Sequence, residues 1–320
     1  MPYIELVEQS GEDEIDTKLE KNPDLSFVGM AALRPNNFHI NAGLYSNSGA
    51  GYAEESNLDF CPGATLNQAI GHTDSVFILR DIREFQLVSA ETRIQINNEL
   101  MAVVSFDEPT KTLAVKRGVA DTVPAIHESG SMVFAWDNYS GIDKTEYLDG
   151  EIVSLKALTM TGSDALELSS ATAHTVTCSA RAIRPYPPAR VKINGDYFPQ
   201  EIETDLILTW VDRSRLQQTG GEILSWFDAG VTIELGTQTH LILTQLDEND
   251  LELATTNANV TGTTSYTMPI SSMQADARFV RVILKTVRDG YESLNPFIHT
   301  VELSQFFSAP YDLTVEFKND

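Results

Sequence analysis

Residues 184–195, with the sequence Arg-Pro-Tyr-Pro-Pro-Ala-Arg-Val-Lys-Ile-Asn-Gly, separate two regions of different pattern. The prolines fix φ and remove backbone donors, so neither a helix nor a central strand can pass through this stretch. The stretch Asp-Leu-Ile-Leu-Thr-Trp at 205–210 follows, and as a strand it places Leu206, Leu208 and Trp210 on one face. We therefore interpret 184–195 as a hinge between two modules and Trp210 as the core anchor of the second.

The region after the hinge has the pattern of an antiparallel sandwich. Val280, Val282 and Leu284 alternate with polar residues and mark the face that points to the core. A proline-rich stretch followed by a strand with a core Trp resembles a fibronectin type III module, which we expect over residues 185–304. The clearest strands are predicted at 206–211, 240–246, 251–254, 279–287 and 298–303.

Residues 305–320 form a separate tail. Residues 313–317 alternate apolar and polar side chains, as in a strand. Because this segment stands apart from the sandwich, it is a candidate edge strand for pairing with a neighbouring module. A terminus without fixed structure is the alternative.

The region before the hinge predicts two further β modules. Short apolar runs separated by turn residues recur at the spacing typical of sandwiches and barrels. We expect a mixed β module at 1–90 and a meander or barrel-like module at 91–184. The fold class is therefore all-β, with several antiparallel modules and little helix. The strands are predicted at 27–33, 40–45, 76–79, 84–88, 93–96, 99–106, 112–117, 132–136, 152–159, 165–168 and 174–182.

The N-terminal residues predict one strand and one helix. The apolar run at 3–7 predicts the strand. Ser10 followed three residues later by Asp13 resembles a capping box, which opens a helix with Ile15 and Leu19 on one face.

Composition excludes several classes of partner. The net charge of −24 opposes binding to phosphate backbones or anionic membranes. No apolar run approaches the roughly 20 residues that cross a bilayer, and the N-terminus lacks the basic and apolar regions of a secretory signal. The two cysteines, Cys61 and Cys178, are far apart in sequence, so a disulfide framework and a metal–thiolate site are not expected. We expect synthesis in a cytoplasm, no nucleic-acid binding and no membrane segment.

No pattern in the sequence indicates catalysis. The six histidines are scattered, and His127-Glu128 lacks the second His of a zinc-protease motif. No Gly-x-Ser-x-Gly pentapeptide occurs, and the glycines at 43–51 lie between predicted strands rather than before a helix. We therefore predict a protein that is not an enzyme, with no catalytic, cofactor-binding or metal-binding residues and no cofactor.

Two groups of residues allow other interpretations. The four carboxylates Asp137, Asp143, Glu146 and Asp149 fall in one loop, where they either bind calcium or face solvent. The aromatic residues Trp136, Tyr139 and Trp226 either stack on a sugar ring or belong to the core.

The chain resembles the C-terminal portion of tailed-phage tail-tip or baseplate hub proteins, which are also found in gene transfer agents. Within residues 96–137, a strand pair leads to Arg117-Gly118 and Asp121-Thr122, then to His127, Gly130 and a strand that ends at Asp137. The resemblance continues in order over most of the chain, and the proline hinge with the downstream Trp is its most specific part. The other similar segments are 41–45, 60–62, 145–151, 184–188, and 208–210 with Arg213 and Arg215.

This resemblance implies a structural protein of the virion. Such hubs are homotrimers at the distal end of the tail, where fibronectin-like modules receive fibres or receptor-binding proteins. The large tube-joining domains that normally precede this region are missing, so either the hub is split between two chains or this is a fragment. The expected partners are other copies of the chain and other tail proteins. A carbohydrate-binding adhesin is the alternative function, and an acidic β-rich glycosidase is a third, because many carboxylates lie in the chain.

Overall fold

A computed structural model describes residues 1–216 and 222–304. Strands dominate these residues, and within them the α-helix is confined to two N-terminal segments, α1 (Tyr3–Ser10) and α2 (Glu12–Lys21). The prediction of an all-β, multi-module fold with little helix is therefore confirmed. The predicted edge strand at 313–317 lies outside the described residues. In chain order the strands are β1 (Leu25–Ser26), β2 (Gly29–Met30), β3 (Ala32–Leu33), β4 (His39–Asn47), β5 (Ala53–Leu58), β6 (Phe60–Cys61), β7 (Gly63–Leu66), β8 (Val76–Arg83), β9 (Arg93–Ile96), β10 (Glu99–Asp107), β11 (Thr112–Lys116), β12 (Met132–Phe134), β13 (Gly141–Ile142), β14 (Tyr147–Leu148), β15 (Ile152–Thr161), β16 (His174–Thr177), β17 (Ala189–Ile193), β18 (Glu201–Ile202), β19 (Leu206–Val211), β20 (Gln238–Leu246), β21 (Glu252–Asn259), β22 (Ser265–Met268), β23 (Phe279–Arg288), β24 (Tyr291–Glu292) and β25 (Phe297–Leu303).

The strand predicted at 3–7 is wrong, because these residues belong to α1. Two sides of this helix are buried in different clusters: Tyr3 and Leu6 in one, Ile4 in the other. Because α1 is short and buries apolar residues on two sides, its apolar run at 3–7 looks the same as that of a buried strand.

The helix predicted around Ile15 and Leu19 is α2, and both side chains are buried. Its capping box is wrong, because Gly11 occupies the N-cap position and no side chain caps the helix. Three acidic residues, Glu12, Asp13 and Glu14, lie in its first turn instead, where they interact favourably with the helix dipole.

Six antiparallel strands close a barrel in the order β10-β11-β8-β7-β12-β9. Alternate residues fill its interior, among them Leu79, Ile94 and Leu113. A strand was predicted at 84–88, but a short 3₁₀ helix occupies residues 85–87. The reason is local: Glu84 has a φ of 53°, which turns the chain so that Phe85 enters the barrel core.

The barrel is an insertion in a second sheet. β4 and β5 lie before the barrel in sequence and β15 and β16 after it, yet they form one sheet in the order β16-β15-β4-β5. Three two-stranded sheets surround it: β1 with β14, β2 with β13, and β3 with β6. The strand predicted at 165–168 is absent, since Ala165 makes only an isolated bridge to Met160.

The sheets divide the first half of the chain differently from the predicted modules. The predicted boundary at residue 90 falls between β8 and β9, which both belong to the barrel. The sequence pattern cannot show which strands share a sheet. Apolar and polar residues alternate along a strand in the same way whether its partner is near or far along the chain.

The described residues between 189 and 303 form a two-sheet sandwich. The smaller sheet has the order β17-β19-β22, and the larger has the order β18-β25-β23-β20-β21 with β24 beside β23. This order is that of a fibronectin type III sandwich, with the A, B and E strands facing the C′, C, F and G strands. Trp210 is buried in the core between the sheets with Leu243 and Val282, as predicted for it.

Cys61 and Cys178 are both buried and free. Burial raises the pKa of the Cys61 thiol to about 12. Within the described residues, neither helix has the length and apolar character needed to cross a bilayer.

Candidate functional site

Arg117 lies directly after β11 and is 1% exposed. Its Nε and Nη2 donate to the two carboxylate oxygens of Glu99 at 2.7 and 2.8 Å. Its Nη1 donates to the carbonyls of Gly71 and Asp74. The guanidinium is therefore fully paired and ties the 71–74 turn to the end of the barrel.

Glu99 is the acceptor at the centre of this network. Besides Arg117, it accepts hydrogen bonds from the backbone N–H groups of Gly118 and Ala125 and from His127 Nε2, at 3.0, 2.8 and 2.8 Å. Burial raises the pKa of Glu99, but the bonds from Arg117 and His127 outweigh burial and leave the pKa below its ordinary value. Glu99 is thus a buried carboxylate whose charge is used to order the loop after β11.

His127 is 1% exposed and is held at both ring nitrogens. Nε2 faces a Glu99 oxygen, so it carries the proton, and Nδ1 lies 3.1 Å from the amide nitrogen of Asn97. The ring therefore lies between Glu99 and Asn97, within hydrogen-bonding distance of both. The backbone of His127 also bridges to Ile70. These contacts tie His127 to the network around Glu99.

The loop after β11 contacts the C-terminal sandwich. Arg213 Nη1 donates to the carbonyl of Gly118 at 3.0 Å, and the backbone N–H of Trp226 donates to the carbonyl of Arg117 at 2.9 Å. Gly118 has a φ of 60°, and a Cβ there would lie 2.7 Å from Pro124 and 2.8 Å from Trp226. Burial lowers the pKa of Arg213 to about 10. The contact is close enough to require glycine at position 118.

Asp121 joins three parts of the chain. Its carboxylate accepts two hydrogen bonds from Arg181, both at 2.7 Å. Its backbone carbonyl accepts a bond from Asn295 Nδ2 at 3.1 Å. The barrel loop, the segment before the prolines and the sandwich therefore meet at one residue.

The proline stretch is a packed connection rather than an open hinge. Tyr186 is 1% exposed and lies in a cluster with Ile4 and Leu100. Its carbonyl accepts a hydrogen bond from Thr286 Oγ1 at 2.9 Å, and the Arg213 guanidinium lies 5.7 Å from its ring centre. Free rotation between the modules would break these contacts.

A second buried charge cluster links the sandwich to the N-terminus. Arg215 binds Glu234 through Nε and Nη2 at 3.1 and 2.9 Å, and Arg288 also contacts this carboxylate. Arg288 donates to the carbonyl of Ile183 at 2.6 Å. The Arg215 guanidinium lies 4.4 Å from the ring centre of Tyr3 in α1.

Together these contacts connect the barrel, the N-terminal helix and the sandwich, and we call them the joint. The joint comprises residues 117–127, 181–188, 213–215, 226, 234, 286–288 and 295.

A group of carboxylates lies at an open cleft of about 540 Å³. In the part of the chain that the structure describes, Glu5, Glu8 and Asp137 bring carboxylate oxygens within 4.8 Å of one another, and no His or Cys joins them. The cation among them is Arg93, whose Nη atoms lie 3.2 Å from Glu5 and 2.9 Å from Asp137 and also contact Glu8. A metal ion would have to displace this guanidinium, so the residues do not fit a metal site.

The structure does not bring together the four loop carboxylates considered for calcium. Asp143 is fully buried and accepts the Tyr147 hydroxyl and the Thr145 N–H at 2.5 and 2.8 Å. The interpretation as a calcium loop is wrong, because each carboxylate has its own partner. The pairs are Asp137 with Arg93, Asp143 with Tyr147, Glu146 with Lys18, and Asp149 with Arg184.

The aromatic residues considered for sugar stacking do not form an exposed platform. Trp226 is 0% exposed and packs between Phe297 and Phe227 in the sandwich core, and Trp136 is 8% exposed. Tyr139 is partly exposed. The interpretation of Trp136 and Trp226 as core residues is correct.

The sequence indicates the joint only through the resemblance, which includes Arg117, Gly118, Asp121, Thr122 and His127. The sequence does not predict the partners of these residues, Glu99 and Arg181, or Glu234, the partner of Arg215, because they follow no local pattern. A buried charge in an otherwise apolar strand, such as Glu99 in β10, is the one signal that points to such a partner.

No family model and no curated protein matches the sequence. Among solved structures, the FN1–FN3 domains of chicken CNTN1 are similar, with 9% sequence identity and a TM-score of 0.23. The match covers 83% of this chain and 66% of that chain. The fibronectin-like assignment rests on the strand order of the sandwich.

Proposed function

We propose that this chain is a structural component of a phage tail tip, a baseplate hub or central tip protein that is not an enzyme. In this role it assembles as a homotrimer with other tail proteins and carries fibres or receptor-binding proteins. Its location is the virion, after synthesis in the cytoplasm of the bacterial host. The proposal rests on the resemblance to such proteins of residues 96–137, of 184–188, and of 208–210 with Arg213 and Arg215.

One structural observation carries the proposal: the residues of the resemblance build a joint between modules rather than an open site. Glu99, Arg117 and His127 are at most 2% exposed, and their polar atoms bind one another and the backbone. Groups that are buried and fully paired cannot reach a substrate, whereas they can hold two β modules in a fixed relation. A fixed relation between modules is what a scaffold needs.

The adhesin alternative loses its main support, because Trp136 and Trp226 are buried. The Arg93 cluster does not support the glycosidase alternative either. There Glu5, Glu8 and Asp137 surround the Arg93 guanidinium and do not line an open site for a sugar.

Antibody labelling of purified tails in the electron microscope tests the proposal. We expect label at the distal tip, and a reconstruction of the tip should show three copies around the tail axis. Label along the tail shaft, or six copies at the tip, would contradict it. The purified chain should also not hydrolyse peptidoglycan or capsule. Hydrolysis that is detected and then abolished by substitution of one carboxylate would contradict the non-enzymatic assignment.

A further inference from the structure

Residues 253–275 contain no Asp, Glu, Lys or Arg. In a chain with 21% charged residues and a net charge of −24, this is the longest stretch without a charge. Thr, Asn and Ser predominate, and all three are short uncharged side chains. The stretch is therefore neutral in a molecule whose surface is otherwise strongly acidic.

The stretch forms one lateral side of the sandwich. β21 ends the strand order of the larger sheet and β22 ends that of the smaller sheet. Because only residues 260–264 connect these two strands, both edges lie on the same side. In the described residues, no further strand pairs with the outer side of either edge. We call this side, residues 253–268, the neutral edge.

The side chains on the neutral edge leave the backbone accessible. On β21, Thr256 and Ala258 pair opposite core residues, whereas Thr255 and Asn257 are on the exposed face. On β22, Thr267 is exposed and pairs opposite Ile207. The neutral edge thus offers unpaired strand hydrogen-bonding groups without long or charged side chains in front of them.

The opposite side of the same sandwich is protected. There β17 carries Arg190 and Lys192, and the larger sheet ends in β18, a strand of two residues that includes Glu201. Charged side chains and very short edge strands are the usual means by which proteins prevent edge-to-edge pairing. The two sides of one module therefore differ in the property that controls strand association.

We propose that the neutral edge is a contact between copies of this chain, in which β21 of one copy pairs with β22 of another. The charge distribution indicates that the partner at this edge is a second copy of the chain. Copies that each carry −24 charges repel one another, so they approach at the lowest electrostatic cost where neither surface is charged. If β21 and β22 of each copy pair with two different neighbours, the contact is heterologous and closes a ring. It deepens the proposed homotrimer but does not require a tail-tip location.

Sedimentation of the full chain tests this contact. At about 1 M salt the Debye length falls to about 3 Å, so repulsion is screened and we expect the wild-type chain to associate. Asn257→Glu and Thr267→Glu place like charges across the proposed strand pair and should weaken association by about tenfold or more. Thr300→Glu is the matched control, since Thr300 is exposed on β25 at the other side of the sandwich, and it should associate like the wild type.

Folding of each variant is checked by its urea midpoint, which should match that of the wild type. A wild-type chain that stays monomeric at high salt would overturn the proposal. So would Glu variants that associate like the wild type, or a control that loses association equally. If removal of residues 305–320 abolishes association while Thr267→Glu does not, the contact belongs to the tail and the proposal fails. None of these results depends on where the protein lies in a virion.

Discussion

Glu99 shows how one buried charge organises a loop. We predict that Glu99→Gln costs about 3–5 kcal/mol of unfolding free energy, because it leaves Arg117 as an uncompensated buried charge. Glu91→Gln is the control: Glu91 is 47% exposed where it binds Lys116, so its loss should cost less than about 1 kcal/mol. Urea unfolding measures both changes. Equal small shifts would mean that Glu99 does not hold the loop.

Glu5 gives stability a pH dependence. Burial raises its pKa from 4.5 to about 7 in the folded protein, Arg93 opposes the rise, and Asp137 and Glu8 add to it. The folded protein therefore holds this proton more tightly than the unfolded chain, so the stabilisation is complete below about pH 4.5 and is lost as pH rises through about 7.

We predict that the unfolding free energy of the wild type falls relative to that of Glu5→Gln between about pH 4.5 and pH 7. The relative fall should be up to about 3 kcal/mol. Urea titrations of both proteins across this range measure it. Parallel pH profiles would show that Glu5 has an ordinary pKa.

At the residue scale, the sequence predicts single core residues better than it predicts which two side chains contact each other. Trp210 could be assigned to the core because it ends an alternating apolar strand. Trp226 could not, because residues 222–237 form no strand and alternation is absent around it. The Glu99–Arg117 pair joins β10 to the residue that follows β11, and this contact forms only when the two strands pair.

At the scale of elements, β19 is held by its core face. We predict that Trp210→Ala costs about 3–5 kcal/mol, through lost burial and a residual cavity. Ile207→Ala on the same strand is the control, since Ile207 is 43% exposed and its truncation should cost less than about 1 kcal/mol. Thermal unfolding compares them. A sandwich that unfolds at the same temperature with both variants would contradict the core role of Trp210.

Strands were predicted well where one face is buried and one is exposed, as in β23, whose residues alternate in burial along its whole length. Prediction failed where this contrast is lost. The α1 helix is buried on two sides. The turn at Glu84 depends on a positive φ, which the local sequence does not predict. The order of the strands could not be predicted for another reason. The alternation of apolar and polar residues in a strand carries no information about which strand it pairs with.

At the scale of the whole molecule, the joint should make the barrel and the sandwich unfold together. Gly118→Ala and Gly150→Ala both place Ala at a positive φ, of 60° and 85°, at a shared cost of about 1–2 kcal/mol. Only the Cβ at 118 also meets Pro124 and Trp226, since nothing lies within 4 Å at 150.

Calorimetry of these variants measures the coupling. We predict one transition for the wild type and for Gly150→Ala, and two separated transitions for Gly118→Ala. If Gly118→Ala shifts a single transition by the same amount as Gly150→Ala, the joint does not couple the two modules.

The pairing of Gly63 with Phe134 brings the first and last strands of the barrel insertion together. During synthesis β4 and β5 leave the ribosome long before β15, their partner across the insertion. A closed barrel brings its own two ends together, which shortens the loop between β5 and β15 and lowers its closure entropy by about 1 kcal/mol. We therefore expect that delayed closure of the barrel would leave the β15-facing side of β4 unpaired for longer and so promote aggregation.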